Sequence, residues 1–465
     1  MYSVFRSMYQ VFYEFAYNLY IYAYLVILSI IVILVIYIKL RYPFWSSQPV
    51  YHTYDFFRWI YLMIAWKHID PYIIQSKVIK TRFVSLDKVI TIPYTDLSSV
   101  QESEFVDLLQ CHSFSSESIM NILDKTTIQS LLIGMSYVSF FQEDRLSIDL
   151  SNNAIVVAKK DTIGCMSSRP IQCIVSGIKT PGYFWDHICV NRSREKDGKI
   201  PRKNIAYKMI QTHEYRQRLM QPNVAASVFK KEGFKPTKNS IRTADSYSSW
   251  SMTDKYINPS PKGADLNLQR FNLCDGVVPL VKFQILTFEL HKISKPPLPL
   301  DMTVVSINAD DVYDMIYGFS HSNIFTLCMF PEIGSLIELI RTQIMHVYAL
   351  KQGGHMLAVY FLKDTQIVYE LNTENAGKLL ECIASVDFEN SPYFFAGFLG
   401  ALYNVLEIGG KMEVIRFPNL GHNSKIIEKW RWKYSPISEI PAAYYIYNMI
   451  VPQMPIAQNK SLILI

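Results

Sequence analysis

Trp185-Asp-His-Ile-Cys-Val190 is followed by the stretch 191–199 and then by Ile200-Pro-Arg-Lys-Asn-Ile-Ala206. The first piece reads as a short apolar strand. The second is a basic loop carrying Arg192, Arg194, Lys196 and Lys199. The third opens a helix from Arg202 to about Arg218, with Pro201 suited to an early helical position where no N–H is needed. Read alone, the basic cluster is a solvated loop, the commonest fate of a charge run; the helix N-terminus beside it, with free N–H groups and the positive dipole end, is the kind of place that attracts phosphate. Upstream, Asn153–Ala158, Thr162–Ser167 and Ile171–Ser176 are strand-like, the first two as a hairpin around Lys159-Lys160-Asp161. A helical region is expected from about Glu104 to Leu132, and a long loop near Gly233–Gly263. Beyond the stiff connector Ser294–Asp301 the style repeats. A helix around Asp310 and Asp311 precedes a hairpin of Met356–Leu362 with Thr365–Glu370. A helix Phe394–Ile408 closes at Gly409-Gly410, and a strand Met412–Arg416 follows. The expectation is an α+β fold of two related units.

The 465 residues carry a net charge of +6 and 50% hydrophobic residues, enough for a large core and too few charges for a disordered chain. No basic block, zinc-finger spacing or RNP-like aromatic motif points to nucleic acid. There is no G-x-S-x-G, Walker loop, H-E-x-x-H or metal-ligand cluster, so no metal is expected. Seven cysteines without C-x-x-C spacing suggest reduced thiols.

No residue from Phe15 to Ile38 is charged. The stretch 19–38 is long enough to cross a hydrocarbon core of about 30 Å as a helix. Tyr20, Tyr22, Tyr24 and Tyr37 suit interfacial belts, and Lys39, Arg41 and Arg58 after the span predict a cytoplasmic body. The sequons at Asn191 and Asn459 would then stay unglycosylated. Domains are expected at 1–40 (segment with transmembrane helix), 41–293 and 294–465.

Four motifs in order carry a resemblance. Phe44-Trp-Ser-Ser-Gln-Pro-Val50 matches an opening Phe-Trp-x-Thr-Gln-Pro-Val. Ile163-Gly-Cys-Met-Ser-Ser-Arg-Pro170 matches Val-Gly-Phe-Ile-Ser-x-x-Pro. Asp186–Val190 with Ile200–Ala206 matches Asn-Phe-Leu-Cys-Val and its following helix start. Tyr444-Tyr-Ile-Tyr-Asn448, with Ser461-Leu-Ile-Leu-Ile465 at the end, matches Tyr-Tyr-Leu-Tyr-Asn-Trp and a terminal apolar strand. From Tyr42 to Ile465 the chain resembles the glycylpeptide N-tetradecanoyltransferases (N-myristoyltransferases).

The resemblance implies two fused GNAT-like halves, the first binding myristoyl-CoA and the second most of an acceptor peptide with an N-terminal glycine. Myristoyl-CoA would be a co-substrate, with no permanently bound cofactor. The catalytic base would be the terminal carboxylate of Ile465, made more basic by desolvation, with the backbone N–H groups of His187 and Ile188 as oxyanion donors. Tyr42, Phe44, Trp45, Cys189, Val190, Arg202, Lys203, Asn204, Ile205 and Ala206 map to the acyl-CoA site. Tyr445, Asn448 and Glu439 map to the peptide site. The chain departs from the pattern where Ser435–Pro441 replaces Gly-x-Gly-Asp-Gly, and where Asp186 replaces Asn. Two other expectations stand beside this one: a catalytically inert membrane-tethered adaptor that keeps the fold, and a GNAT-like acyltransferase with another acyl chain or acceptor. A divergent anchored version would suit a large DNA virus.

Overall fold

The computed structural model describes residues 2–65, 70–112, 119–121, 123–149, 154–191, 202–233, 276–321, 324–372, 375–409 and 412–465. The chain forms two compact units, Met1–Gln48 and Pro49–Ile465. The first is dominated by helix α1 (Tyr2–Arg41). Its stretch Tyr17–Arg41 is long and apolar enough to cross a membrane, with none of it buried. It ends in a one-turn helix, Trp45–Ser47.

The body begins with α2 (Phe56–Ala65), in a region whose sequence reads as irregular. Asp55 starts it. The Asp55 carbonyl accepts from the N–H of Trp59 at 2.9 Å, and its carboxylate pairs with Arg58 at 3.2 Å. β1 (Tyr72–Ile73) and β2 (Val89–Pro93) follow. Where one helix is expected from Glu104 to Leu132, the chain makes α3 (Ser99–His112), β3 (Ile119–Asn121) and α4 (Lys125–Leu131). The break has a local cause. The Asp124 side chain accepts from the Thr127 N–H at 2.8 Å and caps a new helix there.

β4 (Tyr137–Asp149), β5 (Ala154–Val175) and β6 (Ile178–Val190) form an antiparallel run. α5 (Arg202–Met220) then crosses over to β7 (Ala226–Glu232), which lies parallel to β6. The hairpin expected around Lys159–Asp161 is absent, because β5 runs straight through. Lys160 faces Asp144 and Asp161 faces Glu143 across the ladder. Lys160 is exposed, and its charge lies opposite that of Asp144, which suits a solvated strand as well as a turn. The tight turn falls instead at Ser176-Gly177, both with positive φ, joining Val175 to Ile178.

β8 (Val281–Glu289) and β9 (Met302–Ser306) precede α6 (Val312–His321), β10 (Leu327–Pro331) and α7 (Ile333–Arg341). The first half's pattern then recurs: β11 (Met345–Gln352), β12 (His355–Asn372) and β13 (Asn375–Asp387) run antiparallel. α8 (Phe394–Gly409) crosses over to β14 (Met412–Pro418), parallel to β13. Here too an expected hairpin is one long strand. The polar stretch after Leu362 is a bulge in β12, where the register with β13 jumps from Asp364–Leu380 to Val368–Lys378 and Gln366 has a φ of 54°. α9 (Asn423–Arg431), β15 (Ser438–Tyr447), β16 (Met449–Ile450) and β17 (Ser461–Ile463) complete the chain.

Among the described residues the main sheet runs β17-β10-β5-β6-β7-β15-β8-β14-β13-β12-β11-β9, with β4 added to β5, β2 to β4, and β3 to β12. β15 and β8 therefore lie between β7, the parallel strand of the first strand repeat, and β14, that of the second. β17 pairs parallel with β10, and the N–H of Leu464 extends the ladder to the carbonyl of Met329 at 2.9 Å. Leu462, Ile463 and Leu464 are 1–2% exposed. Burying each such side chain contributes about 1.5–3 kcal/mol, enough to hold an end that would otherwise fray.

Candidate active site

β6 and β7 pair only from Gly182–Ala226 to Trp185–Phe229. Past Trp185 the two parallel strands no longer pair, and there β6 also loses its regular register with β5. Cys165 faces Cys189 and Ser167 faces Asp186, so Met166 alone opposes His187 and Ile188. This is a bulge, and His187 takes a φ of 53° within it. A bulge turns backbone groups out of the ladder. The N–H of His187 donates to Oδ1 of Asp186 at 2.9 Å, so one of the two expected oxyanion donors is held by a carboxylate. The His187 ring shares a hydrogen bond with the Ser167 hydroxyl at 2.9 Å through Nδ1. Burial lowers the His187 pKa, with Asp186 opposing, which favours a neutral imidazole. Burial pushes the Asp186 carboxyl up, but His187 and Arg169 together hold it below the usual range.

The last residue lies in a small crevice lined by Lys230, Lys363, Glu381, Tyr444, Ile463 and Ile465, among others. Lys230 comes from β7, Lys363 from β12, Glu381 from β13 and Tyr444 from β15, so both halves supply walls. Period-two alternation explains the inward charges. Lys230 continues the buried face of Ala226 and Val228, and Lys363 that of Val359 and Phe361. Burial would lower Lys230, but Glu232, 2.7 Å away, raises it above the usual lysine range. Glu232 also meets Arg416 at 2.5 Å; burial opposes its ionisation, yet the two cations bring it down to about 2. Burial, reinforced by Arg169, brings Lys363 down to about 8.

Arg169 is the link between crevice and bulge. It is 3% exposed, its Nη2 stands 3.8 Å from Asp186, and its Nε and Nη1 are buried without a hydrogen-bond partner among the described residues. Its charge acts on both His187 and Lys363, and Lys363 acts on His187 and Asp186. Ile465, whose terminal carboxylate is the base that the resemblance implies, therefore lines the same crevice as Lys230 and Lys363.

The remaining expected site residues fall as follows. Cys189 and Val190 are buried at the end of β6, and the Cys189 thiol donates to the carbonyl of Leu108 at 3.4 Å. Arg202 and Lys203 open α5, Asn204 is exposed beside them, and Ile205 and Ala206 are buried. The basic loop's Arg192, Arg194, Lys196 and Lys199 and the helix-opening Pro201 lie outside the described residues, as does the long loop near Gly233–Gly263 from 234 onward. Tyr42 follows α1 in the N-terminal unit, where Phe44 and Trp45 are buried and meet edge to face with ring centres 5.0 Å apart. Tyr445 is buried and stacked on Phe229 at 5.4 Å. Glu439 is half-exposed and pairs with Arg431. The side chain of Asn448, expected at the peptide site, is engaged within the chain. Its side-chain oxygen accepts from the N–H of Gln75 at 2.8 Å, and its amide nitrogen donates to the carbonyls of Gln75 and Ala225 at 2.9 Å each. Fully buried and fully bonded, it ties the segment after β1 to the segment before β7.

Sequence reasoning missed Arg169, Lys230, Lys363 and Glu381 as neighbours. Each stands alone on its own strand, and only tertiary pairing gathers them. The available signal was a charge at an inward position of an alternating strand.

No family model matches the chain, and no curated protein does. Among solved structures, one of the Saccharomyces cerevisiae N-myristoyltransferase with bound myristoyl-CoA matches over 90% of this chain and 94% of that chain, with 10% identity and a TM-score of 0.57. A second, also with bound myristoyl-CoA, matches over 90% of each chain at 10% identity and a TM-score of 0.59. A third, with myristoyl-CoA and inhibitors, covers 90% of this chain and 93% of that one at 11% identity and a TM-score of 0.58. The fold of this chain is the N-myristoyltransferase fold. These likenesses are to yeast proteins and lend no support to a viral source.

Proposed function

We propose that this chain is a membrane-anchored acyltransferase that moves myristate from myristoyl-CoA to the N-terminal glycine amine of a protein. The fold likeness over nine-tenths of the chain supports the reaction class. The observation that carries the reading for this chain is the buried tail that brings Ile465 into a crevice walled by both halves. Residues 41–293 would hold the acyl-CoA and residues 294–465 the peptide. The diverging end of β6 and the opening turn of α5, with Arg202, Lys203 and Asn204, would receive the CoA. Tyr42, Phe44, Trp45, Cys189, Val190, Ile205 and Ala206 would shape the donor side, and Tyr445 and Glu439 the acceptor side. Membrane attachment rests on the unburied apolar stretch Tyr17–Arg41, with the body on the cytoplasmic side by its flanking charges.

The chemistry divides among this chain's own groups. The terminal carboxylate of Ile465 attracts the glycine ammonium. The N–H groups of His187 and Ile188 receive charge on the thioester oxygen in the tetrahedral state. For His187 this requires the Asp186 carboxylate to release its N–H. That contact, together with the spent amide of Asn448, is what favours the second reading, a tethered adaptor that retains the fold without the reaction.

Calorimetry with a non-hydrolysable myristoyl-CoA analogue separates the two. The enzyme reading predicts saturable one-to-one binding, lost when Arg202 and Lys203 are both changed to Glu. A purified, folded chain that binds no analogue leaves only the adaptor.

A further inference from the structure

Lys363 sits at the edge of the β12 bulge, opposite Glu381 on β13 and Met345 on β11. Its side chain lines the crevice that holds Ile465. Among the described residues its ammonium makes no ion pair and no hydrogen bond, an unusual condition for a lysine among buried strands. The charged groups around it come from every wall. Arg169 on β5 and Lys230 on β7 repel a proton on Lys363, while Glu381 on β13 and Asp186 on β6 attract one. Tyr444 and Ile465 line the same space, and His187 lies within electrostatic reach. Burial is the largest influence, and the balance brings the amine down to about 8. A structural lysine would have a carboxylate partner, as Lys230 has Glu232. Lys363 has none, and it lines the same crevice as Ile465.

We propose that Lys363 is the proton acceptor that frees the acyl-acceptor amine, while the Ile465 carboxylate holds the incoming ammonium in place. The inference rests on the acyl-transfer reading above and assigns its base to a side chain. The substrate class is a primary ammonium that must lose a proton before it can attack. Neutral Lys363 takes that proton. The freed amine adds to the thioester carbonyl carbon, forming the C–N bond and placing negative charge on the oxygen. Collapse breaks the C–S bond, and the second amine proton goes to the departing CoA sulfur. Lys363 then returns its proton to solvent. A base works best when its pKa lies near the working pH, and burial brings Lys363 towards it.

Two measurements on the full chain in lipid nanodiscs test this. The first is competitive labelling with acetic anhydride from pH 6.5 to 11, read by peptide mass spectrometry. Lys363 is expected to become reactive with a midpoint near 8, against about 10.4 for an ordinary lysine, and a myristoyl-CoA analogue should shield it. A midpoint at the ordinary value, or no labelling at any pH, overturns the proposal, since a working base must be open to small molecules. The second is the pH dependence of kcat with a glycine peptide. The unmodified chain should rise through an apparent pKa near 8. Lys363→Met and Lys363→Arg should each lose that rise and about 100-fold or more in kcat, with little change in KM for the acyl-CoA. A Lys363→Met chain that keeps both rise and rate overturns Lys363 as base and leaves acyl transfer standing. A wild-type chain that transfers nothing, while still showing the low labelling midpoint, sinks the acyl-transfer reading instead and removes this role with it.

Discussion

Asp186 illustrates what a single residue can decide. Beside a developing oxyanion a fixed negative charge is unfavourable, and this one also occupies the His187 N–H proposed above as an oxyanion donor. Replacing Asp186 with Asn removes the charge and keeps the shape. The expected result is a rise of about 10-fold in kcat for acyl transfer, equivalent to about 1.4 kcal/mol of transition-state stabilisation, with little change in KM for the peptide. A fall in kcat would mean that Asp186 serves the reaction, for example by holding Arg169, and would move the oxyanion site elsewhere. The substitution of Asp for Asn was visible in the sequence. Its consequence was not, because the contact between a side chain and the following N–H depends on the left-handed turn at His187. The same limit hid Lys363, whose neighbours arrive from four other strands.

At the scale of elements, the legible ones were those with a single local period. β6, α5, α8, β14 and the terminal strand are found where hydrophobic spacing and turn residues put them. The two misplaced hairpins share one cause. Lys159–Asp161 and the polar stretch after Leu362 read as turns because polar residues interrupt apolar runs. In the folded chain these stretches stay in long strands that are exposed or bulged. A polar interruption and a solvated strand look alike until a partner strand is known. α2 is the opposite case, an element that sequence reasoning passed over. Phe56, Phe57, Trp59, Tyr61, Met63 and Ile64 on it are 51–84% exposed, too much large apolar surface to leave in water on one short helix. It begins 15 residues after a helix able to span a bilayer. A lipid surface is the matching environment for such a helix. A polarity-sensitive dye on Phe57→Cys should shift to the blue when the chain is placed in phosphatidylcholine nanodiscs, relative to the same chain in a mild, non-binding amphipol. An unchanged emission would leave α2 facing water.

For the molecule as a whole, the fold was legible and the site only in outline. Two repeats of three antiparallel strands, a helix and a parallel strand were foreshadowed by their order in the sequence. Their joining was not. β15, from near the end of the chain, lies between β7 and β8, and β17 pairs with β10 next to β5 of the first strand repeat. The tail thus closes the crevice from a distance in sequence that no local pattern spans. What the tail brings with it is the central matter: Ile465, in a crevice that Lys230 and Lys363 also line, inside a fold shared with N-myristoyltransferase structures that hold myristoyl-CoA. Adding one alanine after Ile465 moves that carboxylate without touching any side chain. The direct measurement is single-turnover acyl transfer from myristoyl-CoA to a glycine peptide by the native and the extended chains. The account predicts transfer by the native chain and at least a 100-fold slower rate for the extended one, with acyl-CoA binding unchanged. Equal rates in the two chains would contradict it.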